Sequence, residues 1–153
     1  MLKERIAFLG AGNMAVALVK GVLAAKTARF DQITVTDVSE ARLVHFRNAH
    51  GIGFKKNNRE AVASADIILL CVKPQVIDTL LAEIADGTGG KLVISIAAGI
   101  TIDRIEKALA PGTRVVRVMP NTPALVLAGA AGLSRGAHAT DTDMAGSREI
   151  FGS

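Results

Sequence analysis

The feature that most constrains the fold of this chain is a regular alternation of short apolar runs with segments of helical spacing. Each apolar run is rich in Val, Ile and Leu, as in buried strands. Strands and helices that alternate over short links form a parallel sheet with helices on both faces. The predicted strands are 5–9, 32–36, 52–55, 65–72, 91–97 and 113–119; the predicted helices are 13–26, 39–49, 58–64, 75–85, 101–109 and one beginning near 141.

Length and composition exclude several classes of protein. The chain has 153 residues, half of them hydrophobic, which suffices for a buried core. Its net charge of +4 comes from scattered basic residues, so no nucleic-acid partner is expected. No apolar run is long enough for a membrane span, and no His, Cys or carboxylate pattern indicates a metal. The single cysteine, Cys71, lies in an apolar run and is interpreted as core packing; we predict a cytoplasmic location.

A glycine motif follows the first predicted strand. Residues 10–15 read Gly-Ala-Gly-Asn-Met-Ala and open the first predicted helix, which is the context that a dinucleotide-binding loop requires. Gly10 permits a tight turn, Gly12 lets the backbone approach a pyrophosphate, and Ala15 allows close packing of helix on strand. Asp37 ends the second strand, where a carboxylate would hold the adenosine ribose. The fold class expected is therefore α/β, a Rossmann-type, doubly wound and mainly parallel sheet.

Three further segments follow later strands and are expected at the same edge of the sheet, because ligands of such sheets lie beyond the carboxyl ends of the strands. Each segment alone also fits ordinary turn chemistry or a surface side chain. Taken together, they favour a site for the nicotinamide half of a dinucleotide. The candidate cofactor-binding residues, with the glycine motif included, are Gly10, Ala11, Gly12, Asn13, Met14, Ala15, Asp37, Val72, Lys73, Pro74, Ala97, Ala98, Gly99, Met119, Pro120 and Asn121.

Four motifs give the chain a resemblance to a known family. The stretches GAGNMA, CVKP, SIAAGIT and VRVMPNTPALV together resemble pyrroline-5-carboxylate reductase, and the resemblance covers essentially all of the chain. It implies reduction of 1-pyrroline-5-carboxylate to L-proline with hydride from NAD(P)H, the last step of proline biosynthesis. It also implies that Asn58 contacts the cofactor, and that Met119 to Asn121 border the nicotinamide and the imine.

Members of the resembled family are longer than this chain, which has consequences for its organisation. We expect a dinucleotide-binding domain over residues 1–140, with 141–153 beginning a linker or helix toward a missing all-helical domain. That domain would supply dimerisation, imine binding and the catalytic residues. The fragment should therefore bind nucleotide without reductase activity, and the full-length protein should be a homo-oligomer. Met144, Ile150 and Phe151 have nothing obvious downstream in this chain to cover them.

The residues leave two other functions open, and the choice between NADH and NADPH as well. Another imine or hydroxyacid oxidoreductase of the same superfamily would share the glycine motif, and a non-enzymatic nucleotide-binding module would share the fold. Relatives that prefer NADPH carry small polar residues where this chain has Asp37, whose charge would oppose the 2′-phosphate. The sequence therefore favours NADH slightly, although Ser39 and Arg42 could offset the effect by contacting the phosphate.

Overall fold

A computed structural model describes residues 1–119 and 132–152 of the chain. Within these ranges the strands are β1 (Ile6–Leu9), β2 (Ile33–Thr36), β3 (Gly53–Phe54), β4 (Ile67–Leu70), β5 (Leu92–Ser95), β6 (Arg114–Met119) and β7 (Gly132–Arg135). The α-helices are α1 (Asn13–Ala24), α2 (Glu40–His50), α3 (Asn58–Ala63), α4 (Ile77–Ile84), α5 (Ile102–Ala108) and α6 (Asp141–Phe151).

The strands form one sheet in the order β3-β2-β1-β4-β5-β6-β7. The first six strands run parallel, whereas β7 pairs antiparallel with β6. Chain order reverses between β1 and β4, and a crevice opens at such a reversal beyond the carboxyl ends of the strands. The predicted α/β, doubly wound and mainly parallel fold is confirmed.

Apolar layers cover both faces of the sheet. On one face, residues of α1, α2 and α6 pack against Phe8, Leu69 and Ile94. On the other face, residues of α3, α4 and α5 pack against Leu9 and Ile68. Every residue of β1, β4 and β5 is buried, because these strands lie in the centre of a sheet covered on both sides.

Helix α6 completes the first of these layers. Met144, Ile150 and Phe151 are all buried in the cluster that includes α1, so an element earlier in the chain covers them. Thr140 caps the helix by accepting a hydrogen bond from the Asp143 N–H at 3.0 Å. Whether residue 140 marks a domain boundary stays a prediction.

Local signals fixed the ends of the second helix. Ser39 is its N-cap and accepts a hydrogen bond from the Arg42 N–H. Gly51 ends the helix with φ +69°, a left-handed conformation that glycine adopts without strain. No helix within the described ranges is long and apolar enough to cross a membrane.

Candidate functional site

The loop from β1 to α1 begins at Gly10, which the fold itself requires to be glycine. Its φ is +109°, and a Cβ added there would lie 2.7 Å from the carbonyl oxygen of Cys71. The Gly10 N–H donates to the Thr36 carbonyl at 2.8 Å. The turn is thus held between the ends of β2 and β4, with no room for a side chain.

Gly12 differs from Gly10, because nothing within the described protein requires a glycine there. Its backbone is extended, with φ −80° and ψ −169°, which any residue can adopt. A Cβ added there would meet only Arg42 Nη1, at an ordinary contact distance of 3.7 Å. The missing side chain therefore leaves open space over the backbone, as a ligand that approaches closely would need.

The amino end of α1 faces the same space. The N–H groups in the first turn of an α-helix have no partners within the helix, and they carry a partial positive charge. Gly12 is the N-cap, no side-chain cap is found among the described residues, and the first turn holds no acidic residue. Ala15 is fully buried and lets the helix pack closely on the sheet. Such a helix end suits a phosphate group.

Asp37, just after β2, lies beside this loop as predicted, but its carboxylate is already bonded. Oδ2 accepts the Ala11 N–H and Oδ1 accepts the Ser39 N–H, both at 2.8 Å. The guanidinium of Arg42 lies 3.9 Å from Oδ2. The Asp37 side chain is only 9% exposed, whereas that of Arg42 is 60% exposed. Arg42 is therefore the charge that faces solvent next to Gly12.

Asn58 opens α3 and is held by a residue that the sequence analysis did not single out. The hydroxyl of Thr36, the last residue of β2, donates to Asn58 Oδ1 at 2.5 Å. This bond leaves the amide nitrogen of Asn58 available to donate to another acceptor. Thr36 is buried, and a threonine that ends a strand is too common to have been recognised from the sequence.

The segments predicted for the nicotinamide half also follow strands at this edge of the sheet. Val72, Lys73 and Pro74 follow β4 after Cys71, and Pro74 begins a short 3-10 turn before α4. Ala97 is buried and donates its N–H to Ser95 Oγ at 3.2 Å, while Ala98 and Gly99 are exposed. Met119 ends β6 and is 47% exposed. Pro120 and Asn121 lie outside the described residues.

The Cys71 side chain is partly buried against the apolar layer that contains α1. Burial raises the pKa of its thiol to about 12, so the thiolate is not formed near neutral pH. The same burial agrees with the interpretation of this residue as core packing. Within residues 1–119 and 132–152, no three His, Cys, Asp or Glu residues come together as metal ligands would.

Comparison with known proteins places these features in a family context. The family model described as NADP oxidoreductase, coenzyme F420-dependent, matches residues 5–99, which include the glycine loop, Asp37, Asn58 and the two segments after β4 and β5. A pyrroline-5-carboxylate reductase of Methanosarcina acetivorans is 41% identical over 152 residues, covering 99% of this chain and 56% of the relative.

Solved structures give the same resemblance. A pyrroline-5-carboxylate reductase from Coxiella burnetii superposes with a TM-score of 0.91 at 35% identity, over 99% of this chain and 56% of that one. A Plasmodium falciparum pyrroline carboxylate reductase with NADP bound superposes with a TM-score of 0.83 at 27% identity, over 99% and 55%. The chain thus spans about half the length of the relatives it matches.

Proposed function

Because this chain belongs to the family described as NADP oxidoreductase, coenzyme F420-dependent, we propose that it binds NAD(P)H as part of a pyrroline-5-carboxylate reductase. The whole protein would reduce 1-pyrroline-5-carboxylate to L-proline, the last step of proline biosynthesis. The observation that carries the proposal is Gly12, a glycine that the packing of the described residues does not need. It is the N-cap of α1, and no described side chain accepts a hydrogen bond from the first turn of that helix. Similarity to named reductases, at 41% identity for one of them, supports the choice of substrate.

The residues present fit a dinucleotide. The pyrophosphate would lie over Gly12 and accept hydrogen bonds from the amides of Asn13, Met14 and Ala15. Arg42 adds a solvent-facing positive charge on that side. Asn58 would donate its free amide N–H to a ribose or phosphate oxygen. The adenosine half would therefore lie over β2, with Asp37 beside it.

The nicotinamide half would extend from the switch point toward β5 and β6. Val72, Lys73 and Pro74 would line one side of it, and Ala97, Ala98 and Gly99 the other. A Cβ at Gly99 would meet nothing within 4 Å, so the space over this backbone is open and a flat ring could lie against it. Met119, Pro120 and Asn121 would border the ring and the imine. When bound, the reduced cofactor supplies the hydride that reduces the C=N bond.

We assign no catalytic proton donor to this chain. Imine binding, proton donation and homo-oligomer formation would come from a further helical domain of the whole protein, and 141–153 would lead into it. This chain alone would bind nucleotide without forming proline. We also propose a cytoplasmic location, supported by the presence of a single cysteine, which cannot form a disulfide within this chain.

The preference for NADH over NADPH stays a prediction. It rests on the charge of Asp37, which would oppose the extra phosphate of NADPH. The hydrogen bonds that Asp37 accepts within the protein would weaken its effect on this preference, and variants at position 37 test it.

The function is tested by two assays on purified protein. Calorimetric titration of the chain with NADH and NADPH should give saturable binding, and Gly12→Ala should weaken it. The protein encoded by the full reading frame that contains this chain should oxidise NAD(P)H only when 1-pyrroline-5-carboxylate is added, and proline should be the product. Dinucleotide binding without such turnover would instead indicate a binding module, and turnover of other imines or hydroxyacids alone would indicate a different reductase.

A further inference from the structure

The carboxylate of Asp37 contacts three residues of the site, which belong to two segments of the chain. Its Oδ2 accepts from Ala11, which lies between the two glycines of the loop, and its Oδ1 accepts from Ser39, the N-cap of α2. Arg42, in the first turn of α2, adds a longer contact to the same carboxylate. One side chain thus connects the glycine loop to the start of the next helix, across 26 residues of sequence.

From these contacts we propose that Asp37 is a positioning residue, which holds the glycine loop so that the amides at the head of α1 face the phosphates. This inference rests on the proposed function. Its consequence is that Asp37 acts on the affinity for every dinucleotide, and not mainly on the choice between NADH and NADPH.

The Ala11 N–H depends on the Asp37 carboxylate as its acceptor, because Ala11 is buried. Ala11 is 3% exposed, so its N–H has little access to water. Without an acceptor at position 37 this donor would be buried and unsatisfied, which is costly for a backbone amide. The loop would then move to find another acceptor, and the amides of the following residues would move with it. Asp37 therefore holds in place the amide groups at the head of α1, although it does not bond to them itself.

The charge of Asp37 is also compensated inside the protein. Two N–H groups donate to its oxygens, and Arg42 Nη1 lies 3.9 Å from the carboxylate and 3.7 Å from where a Cβ of Gly12 would be. Opposite charges so placed reduce the repulsion that an approaching phosphate would feel. Each oxygen of Asp37 already accepts one N–H group, so part of its acceptor capacity serves the protein before any nucleotide binds.

The experiment compares Asp37→Ala and Asp37→Asn with the unchanged chain, using NADH, NADPH and ADP as ligands in calorimetric titrations. ADP carries the pyrophosphate and the adenosine ribose without the nicotinamide. We expect Asp37→Ala to weaken all three by about tenfold, with the NADH to NADPH ratio unchanged within about twofold. Asp37→Asn keeps one acceptor oxygen and should restore part of the affinity, which simple loss of charge would not do.

A matched control separates positioning from general destabilisation. Asp143 is also 9% exposed, accepts the Thr140 N–H at 3.0 Å and pairs with Arg114 at 2.8 Å. Arg114 begins β6, so this pair lies at the amino edge of the sheet, opposite the glycine loop. Asp143→Asn should lower the free energy of unfolding while leaving nucleotide affinity within about twofold. Hydrogen exchange of the Ala11 amide should accelerate in Asp37→Ala and not in Asp143→Asn.

Provided that the unchanged chain binds a dinucleotide, either of two results would overturn the inference. One is a gain in NADPH affinity with a loss in NADH affinity in both Asp37 variants, which would make Asp37 the selector. The other is unchanged affinity for all three ligands. If the unchanged chain binds no dinucleotide, the proposed function fails first and the inference fails with it.

Discussion

At the scale of single residues, two glycines two positions apart have different reasons to be glycine. Gly10 has a positive φ and backbone atoms of Cys71 where a Cβ would go, whereas Gly12 has neither. The sequence motif assigned the tight turn to Gly10, which the positive φ confirms, and the approach of a ligand to Gly12, which stays a prediction. The motif could not predict that the Cys71 carbonyl leaves no room for a side chain at Gly10, because that contact depends on how β4 approaches the loop.

Gly10→Ala should therefore destabilise the protein by about 3 kcal/mol or more, because the added Cβ meets a carbonyl oxygen and the backbone is strained. Gly12→Ala should change the free energy of unfolding by less than about 1 kcal/mol, since weaker N-capping and a stiffer unfolded chain act in opposite directions. Urea unfolding of both variants checks the contrast. Equal losses of stability would show that Gly12 is also required by the fold.

Asp66 gives a prediction about pH at the same scale. The Arg5 N–H donates to its carboxylate at 2.9 Å, and this bond, aided by the charges of Arg5 and Lys91, lowers the Asp66 pKa against an opposing effect of burial. A carboxyl whose pKa is lower in the folded state stabilises the protein above its unfolded pKa of about 3.8, and this contribution is lost as the pH falls through the folded value.

Asp66→Asn should accordingly lower stability at neutral pH and flatten the loss of stability below about pH 4. The measurement is the urea midpoint between pH 2.5 and 7. Asp103→Asn is the control, since Asp103 is an exposed residue whose ion pair joins positions on one helix. If both variants respond to acid as the unchanged chain does, the Arg5 bond has no such role.

At the scale of secondary-structure elements, α6 and β7 show what the sequence could and could not predict. The start of α6 near residue 141 was predicted, but the sequence indicated no partner for its apolar residues. They pack against α1, which lies more than a hundred residues earlier, so no local pattern indicates the contact. The edge strand β7 was missed because Gly132–Arg135 holds one large apolar side chain and no alternation.

Phe151 tests whether α6 belongs to the folded unit. Its side chain is 2% exposed in the cluster with α1, so Phe151→Ala should cost about 3–5 kcal/mol. Arg148→Ala, one turn earlier on an exposed position of the same helix, should change stability by less than about 0.5 kcal/mol. The free energies of unfolding in urea give both values. A similar small effect for Phe151→Ala would mean that α6 packs loosely.

At the scale of the whole molecule, the alternation of strands and helices predicted the sheet, its parallel character and the edge at which the candidate residues of the described ranges lie. These follow from periodicity and from the handedness of strand–helix–strand connections. The inward orientation of Asp37 could not be predicted, because it depends on where Ala11 stands relative to β2. The choice of substrate depends on likeness to longer reductases, since this chain spans about half of their length.

The central claim is that the loop at Gly10 to Ala15 binds a nicotinamide dinucleotide. The most direct test is a titration of the purified chain with NADH and with NADPH, followed by cofactor fluorescence. The chain contains no Trp and no Tyr, so the protein contributes little background. Saturable binding that Gly12→Ala weakens by at least about tenfold is the predicted result. Absence of binding up to millimolar concentrations, or binding that Gly12→Ala leaves unchanged, would contradict it.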